Sequence, residues 1–172
     1  MFAQACSNSV EVAPENCDAA ADTLNSNDFV INGGGFSNTV IDLEETVGNS
    51  GSYGTETMLM PGNRVELKVD AFPVKIANDS GLVHMTIVLP RRDVGTFPIS
   101  TSTDAIVQIA LVPSSPTGSR LYTGESGTLT VSTYLYEPVD TIAIIGRFCG
   151  TFKDSAGQRV TIAGGDFTIT SR

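Results

Sequence analysis

Residues 142–170 read IAIIGRFCGTFKDSAGQRVTIAGGDFTIT, and their spacing decides the fold class. Ile142, Ile144, Phe148 and Phe152 fall at even positions, with Gly146 and Gly150 on the same face. A period of two over this length marks a half-buried strand, not a helix. Asp154-Ser155-Ala156-Gly157 supplies a turn, and Arg159 to Thr170 returns as the partner strand. In that partner Val160 and Ile162 are even, whereas Phe167 and Ile169 are odd. A slip of one residue turns every side chain to the opposite face, so a β-bulge centred on Gly164-Gly165 is predicted.

The same alternation runs upstream. Val65, Leu67 and Val69 share one face of a strand, with Glu66 and Lys68 on the other. Val83, Met85, Ile87 and Leu89 oppose Leu82, His84, Thr86 and Val88. The stretch from Asp104 to Val112 is apolar on both faces, as a central strand would be. Leu129, Val131, Thr133 and Leu135 alternate with Thr130, Ser132, Tyr134 and Tyr136. Turn residues separate these runs at Gly48 to Gly51, Pro61 to Asn63, Asn78 to Gly81, Pro113 to Gly118 and Gly124 to Gly127. No window repeats at helical period. The prediction is an all-β, antiparallel β-sandwich of about eight to ten strands over residues 28–172.

Composition agrees with that class. The chain has 172 residues, of which 41% are apolar and 17% charged, so it can close a core without a metal. Its 19 acidic and 10 basic side chains leave a net charge of −9. Phosphate contacts need clustered Lys and Arg, and no cluster exceeds Arg91-Arg92, so nucleic acid is excluded as an expected partner. Adhesion to anionic lipid by charge is disfavoured for the same reason.

Residues 1–27 carry four acids, no Lys or Arg, and few large apolar side chains. They read as a flexible acidic arm or linker. Residues 28–172 then hold 15 acids against 10 bases, an ordinary balance for a soluble β domain. Ala3 and Ala5 match the small-residue preference of a secretory cleavage site. Cys6, following a small residue and opening a polar tether, also fits the lipid-bearing Cys of a bacterial lipoprotein, although Ala3 stands where Leu is preferred. Both readings require an apolar stretch upstream, with Met1 then supplied by expression. A short cytoplasmic N-terminus is the plain alternative. No run of 18 apolar residues could span a membrane as a helix.

The stretch Gly146 to Ile169 resembles the closing hairpin of uncharacterised, Bacteroidetes-type secreted and outer-membrane lipoproteins. Their pattern G-x-F-x-x-x-F, a polar turn, then V-x-I-x-x-G-x-F falls here on Gly146, Phe148, Phe152, Val160, Ile162, Gly165 and Phe167. Val94 to Ile99 is similar to their G-T-Y-x-L segment. The resemblance implies a β-sandwich tethered at the outer membrane, with no catalytic motif to carry over.

Three cysteines, Cys6, Cys17 and Cys149, allow at most one internal bridge. The alternation puts Cys149 on the strand face opposite the aromatic residues, where Cys17 on the arm is its natural partner. Cys6 is then left for lipid. A Cys6–Cys17 loop is the rival, and three free thiols in a reducing cytoplasm the third case. No cysteine pair has metal-ligand spacing and there is one His, so no metal or other cofactor is expected.

His84 lies beside Thr86 on the polar face of its strand, and no G-x-S-x-G elbow accompanies it, so no catalytic residue is assigned. Asp42, Glu44 and Glu45 lack the spacing that wraps calcium and read as a solvated strand end. Paired carboxylates for glycoside hydrolysis leave no sequence signature, yet a sugar cleft favours aromatic platforms, and Trp is absent. Tyr134 and Tyr136, roughly 7 Å apart along a strand face, with Tyr122 on a neighbouring strand, form a candidate contact surface for a protein or glycan. The rival reading is cross-strand packing. Gly33-Gly34-Gly35 opens no helix and is no phosphate loop. Asn78-Asp79-Ser80 is a glycosylation sequon, with meaning only in a eukaryotic source.

The expected function is that of a non-enzymatic, exported cell-surface β-sandwich, lipid-tethered through its arm and serving as a binding or structural module. Its location would be the cell envelope, the outer surface or the extracellular space, with membrane contact only through the lipid. The alternative is a structural subunit of a larger assembly, such as a surface filament or virion decoration protein. A small secreted hydrolase ranks third. The sequence leaves the oligomeric state open.

Overall fold

A computed structural model describes residues 27–45, 51–100, 104–115, 118–137 and 141–171. Among them are ten strands and no helix: β1 (Asp28–Gly33), β2 (Phe36–Asp42), β3 (Ser52–Met60), β4 (Arg64–Ile76), β5 (Asp79–Leu89), β6 (Gly95–Pro98), β7 (Ile106–Pro113), β8 (Arg120–Glu137), β9 (Thr141–Lys153) and β10 (Arg159–Ser171). The all-β, antiparallel expectation is met. The expected sandwich of two sheets is not what the pairings give. All ten strands join one sheet in the order β2-β1-β10-β9-β8-β7-β5-β4-β3, with β6 pairing β8 beyond the end of β7. The sheet curls into a half-barrel, bringing β2 towards β4 and β3 towards β10. Alternation reports one buried face per strand, and a curled sheet provides that as well as two stacked sheets do.

Bulges produce the curl. Pairing registers shift between Ala71 and Val74 in β4, at two places in β8, and between Ile162 and Gly165 in β10. Each extra residue bends its strand and steepens the local twist. The β10 bulge is the predicted one: Val160 and Ile162 before it and Phe167 and Ile169 after it are all buried in one core. That core runs along the concave face through β4, β5, β7, β9 and β10, and includes Val65, Met85, Ile109, Phe148 and Phe167.

The closing hairpin is packed by reciprocal glycine–aromatic pairs. Gly146 lies opposite Phe167, and Phe148 opposite Gly165. A Cβ on Gly146 would sit 2.4 Å from Phe167 Cζ, and one on Gly165 would sit 2.7 Å from Phe148 Cζ. Each ring therefore fills the space its partner glycine leaves open.

Two local expectations fail in β8. Gly124 to Gly127 is no turn but a bulged section inside a continuous strand. A Cβ on Gly127 would meet the Cys149 carbonyl oxygen at 2.1 Å, so glycine here serves close strand approach. A second register shift, between Val131 and Thr133, reverses the parity. Leu135, expected inside, is 42% exposed, while Tyr134 packs against the core. The arm residues 1–26, with Cys6 and Cys17, and the turn residues 48–50 lie outside the described residues. Asn27, assigned above to the arm, is fully buried in the body.

Candidate functional site

A cavity opens at the mouth at one end of the half-barrel, where the β1–β2 tip, the β4–β5 tip and the start of β8 converge. Glycines make the first tip possible: Gly34 and Gly35 turn the chain with φ of +60° and +95°. Two successive positive φ values match the twist of a two-residue hairpin. The second tip, at Ala77-Asn78, places Asp79 opposite Ile76. Asp79 accepts hydrogen bonds from Ser80 N (2.8 Å) and Ser115 N (3.2 Å), and from the Ser115 hydroxyl. The Ser115 hydroxyl is the main reason that the Asp79 carboxyl is held below the ordinary carboxylate range. These contacts moor the β4–β5 tip to the segment after β7.

Arg120 closes the ring. Its Nη1 donates to the Gly34 carbonyl oxygen (2.8 Å), Gln158 Oε1 (3.0 Å) and Tyr122 Oη (3.3 Å). The Tyr122 hydrogen bond, first among the causes, raises the guanidinium pKa further. The cavity, open to solvent on one side, measures about 530 Å³, and Phe36, Ile76, Leu111, Asp79 and Arg120 contribute to its wall. A smaller groove of about 370 Å³ runs between β2 and the end of β4, past Thr39 and Lys75.

No family model, curated protein or solved structure matches the chain.

The three tyrosines do not form one surface. Tyr122 is fully buried, with its hydroxyl turned to Arg120. Tyr134 packs against the core, and its hydroxyl has no hydrogen-bond partner among the described residues. Tyr136, like Tyr134, is partly exposed on the strand, but it lies outside the core packing. Cys149 is 2% exposed but stands outside the core cluster, with Thr128 across from it on β8. Asp42 turns its carboxylate onto the backbone N–H groups of Glu44 (2.8 Å) and Glu45 (3.0 Å), so it caps a turn. Among the described residues no group of three His, Cys, Asp or Glu side chains could hold a metal.

One constellation was not foreseen. His84 lies opposite Asp70 on the outer face; its Nδ1 contacts Asp70 Oδ1 and its Nε2 lies 2.9 Å from Thr86 Oγ1. This is the acid–imidazole–hydroxyl order of a nucleophilic triad. Acyl transfer also needs N–H donors aimed beside the hydroxyl. Here β5 is central, paired by β4 and β7 on either side of Thr86, so the ladder takes the local amides.

A further polar network sits where the two ends of the sheet approach. Asp166 Oδ1 accepts from Asn27 N (2.7 Å) and Asp28 N (3.0 Å). Burial, the largest effect, raises the Asp166 carboxyl above its ordinary range despite those two bonds. The folded state thus binds this proton more tightly than the unfolded chain does. Its stabilising contribution is full below the ordinary carboxylate pKa and is lost as pH rises through the raised value. An amide oxygen in Asp166→Asn can accept the same two bonds without the charge. The variant is expected to gain stability relative to the parent as pH rises from about 4 to 7. Thermal melts across that range check it, and a relative loss would contradict the assignment.

Proposed function

We propose that this chain is an exported, non-enzymatic β-module of a cell surface, held by its N-terminal segment through Cys6 and serving as a binding or structural element. Cys149 carries the reading. A sulfur buried on the outer side of a sheet, outside the core, is what a strap across that face would produce. The strap available in the sequence is the arm, joined by a Cys17–Cys149 disulfide, and such bridges persist in oxidising, exported environments. The likeness of residues 146–169 to secreted lipoproteins supports the same compartment. The natural partners of such a module are proteins or glycans of the cell surface. A bridge closing a loop of more than about a hundred residues would stabilise the body by about 4–5 kcal/mol on the chain-entropy view. Non-reducing peptide mapping of the exported protein is expected to yield a Cys17–Cys149 peptide. Recovery of both as free thiols would sink the strap.

A specific observation favours a second reading, a structural subunit of a larger assembly. β3 is a nine-residue edge strand without Lys or Pro, and it exposes Met58 (45%) and Leu59 (40%). Such an edge offers unpaired amides and carbonyls to a neighbouring chain. Sedimentation equilibrium separates the readings: association rising with concentration favours the subunit, and a monomer throughout favours the tethered module. A small secreted hydrolase stands third, with only the Asp70–His84–Thr86 alignment in its favour.

A further inference from the structure

We propose that the mouth of the half-barrel binds a small aliphatic monocarboxylate, with its charge on Arg120 and its chain against Phe36, Ile76 and Leu111. This goes beyond the surface-module reading and does not depend on the disulfide. The cavity volume, about 530 Å³, lies within the range of roughly 300–1,000 Å³ typical of small-molecule sites.

The charge pattern selects the ligand's head. Arg120 has no ion pair among the described residues; its three bonds all run from Nη1 to neutral oxygens. A guanidinium offers five N–H donors in a planar fork suited to a carboxylate, and here Nη2 and Nε make no bond among the described residues. Partial burial strengthens an incoming ion pair by lowering the local dielectric. Asp79, held ionised by Ser115 and Ser80, lines the same cavity, so its wall carries one cation and one carboxylate. A dianion such as phosphate would meet one cation and one carboxylate, so a monoanion is preferred.

The wall selects the tail. Ile76 and Leu111 are core residues whose side chains end at this opening, and Phe36 packs beside them. An alkyl chain laid there is removed from water at about 25 cal/mol per Å². The rim is already fixed by the Gly34-Gly35 turn, the Arg120–Gly34 bond and the Asp79–Ser115 contact, so little ordering is required on binding.

Calorimetric titration of the full chain with sodium octanoate, octan-1-ol and inorganic phosphate tests the proposal. Octanoate is expected to bind at one site at least about tenfold more tightly than octanol, the worth of a charge-assisted bond, and phosphate not to bind. Amide chemical-shift changes on the unaltered protein should centre on Gly34, Gly35, Asn78 and Gly118. Arg120→Gln, confirmed folded by its melting curve, should abolish the preference for octanoate over octanol. Equal affinity for octanoate and octanol, tighter binding of phosphate, or shifts centred elsewhere would each overturn it. The octanol comparison and the shift map need no variant, so they decide the matter even if Arg120→Gln fails to fold. Absence of octanoate binding beside an intact Cys17–Cys149 peptide would reject the ligand and leave the surface module standing.

Discussion

Phe148→Ala is expected to destabilise the fold by about 3–5 kcal/mol, the range for emptying a buried Phe site. Phe148 is fully buried, and its ring centroid lies 6.4 Å from those of both Phe29 and Phe152. It therefore links β1 to β9 while also covering Gly165 on β10. The reciprocal change, Gly165→Ala, should cost about 1–3 kcal/mol by overpacking. Its new Cβ would lie 2.7 Å from Phe148 Cζ and 2.8 Å from the Phe148 carbonyl oxygen. Only the first of these clashes disappears when the ring is removed, and the alanine methyl then occupies part of the void. The double variant should thus lose less than the two single losses combined, though more than Phe148→Ala would if the backbone contact were absent. Urea unfolding of the four proteins gives the coupling directly. Strict additivity would mean that ring and glycine do not fill one shared space.

That pair also shows how far a single sequence carries. The parity change across Gly164-Gly165 is visible because apolar residues flank it on both sides. Each half of β10 announces its own face, so the bulge follows. In β8 the same glycine signal misleads. Gly124 and Gly127 bracket polar residues, and nothing local separates a turn from a strand crossing close to its neighbour. The deciding contact, the Cys149 carbonyl oxygen against Gly127, comes from a strand more than twenty residues away. The shift after Val131 is silent for another reason: Thr, Ser and Tyr suit either face of a half-buried strand, so reversing them breaks no pattern.

The site residues were less legible still. Asp70, His84 and Thr86 align only because a bulge between Ala71 and Val74 moves Asp70 opposite the imidazole. A regular hairpin closed at Ala77-Asn78 would have placed Ala71 there. Arg120 carries no motif at all. Its role depends on three separate segments, at Gly34, Tyr122 and Gln158, meeting at the mouth. Long-range register, not residue type, creates both sites.

Asn27→Ala is the other large expected loss, about 3–5 kcal/mol, and it tests what holds the curled sheet shut. Asn27 is fully buried with φ at +78°. Its Nδ2 lies within donating distance of Tyr53 Oη (2.7 Å), Glu44 Oε1 (3.1 Å) and the Thr168 carbonyl oxygen (3.2 Å), while its Oδ1 accepts from Thr168 N (2.9 Å). One amide thereby joins the edge strand β3 to β10 and to the turn after β2. Burial, with Glu44 adding, pushes the Tyr53 hydroxyl up to about 12, so at neutral pH it remains a protonated member of the network. Alanine carries two separate penalties. The left-handed backbone costs a residue with a Cβ about 1–2 kcal/mol where Asn is tolerated. The stranded partners cost about 1–3 kcal/mol for each polar group left buried and unpaired. Asn27→Gly removes the first penalty and keeps the second, so it should be more stable than Asn27→Ala by about 1 kcal/mol and still weaker than the parent. That order, parent above glycine above alanine in urea midpoint, belongs to a residue that both turns the chain and ties the seam. If glycine matched the parent, the amide bonds would be dispensable and the half-barrel would be held by its apolar face alone. If alanine matched glycine, the left-handed turn would carry no weight in closing it.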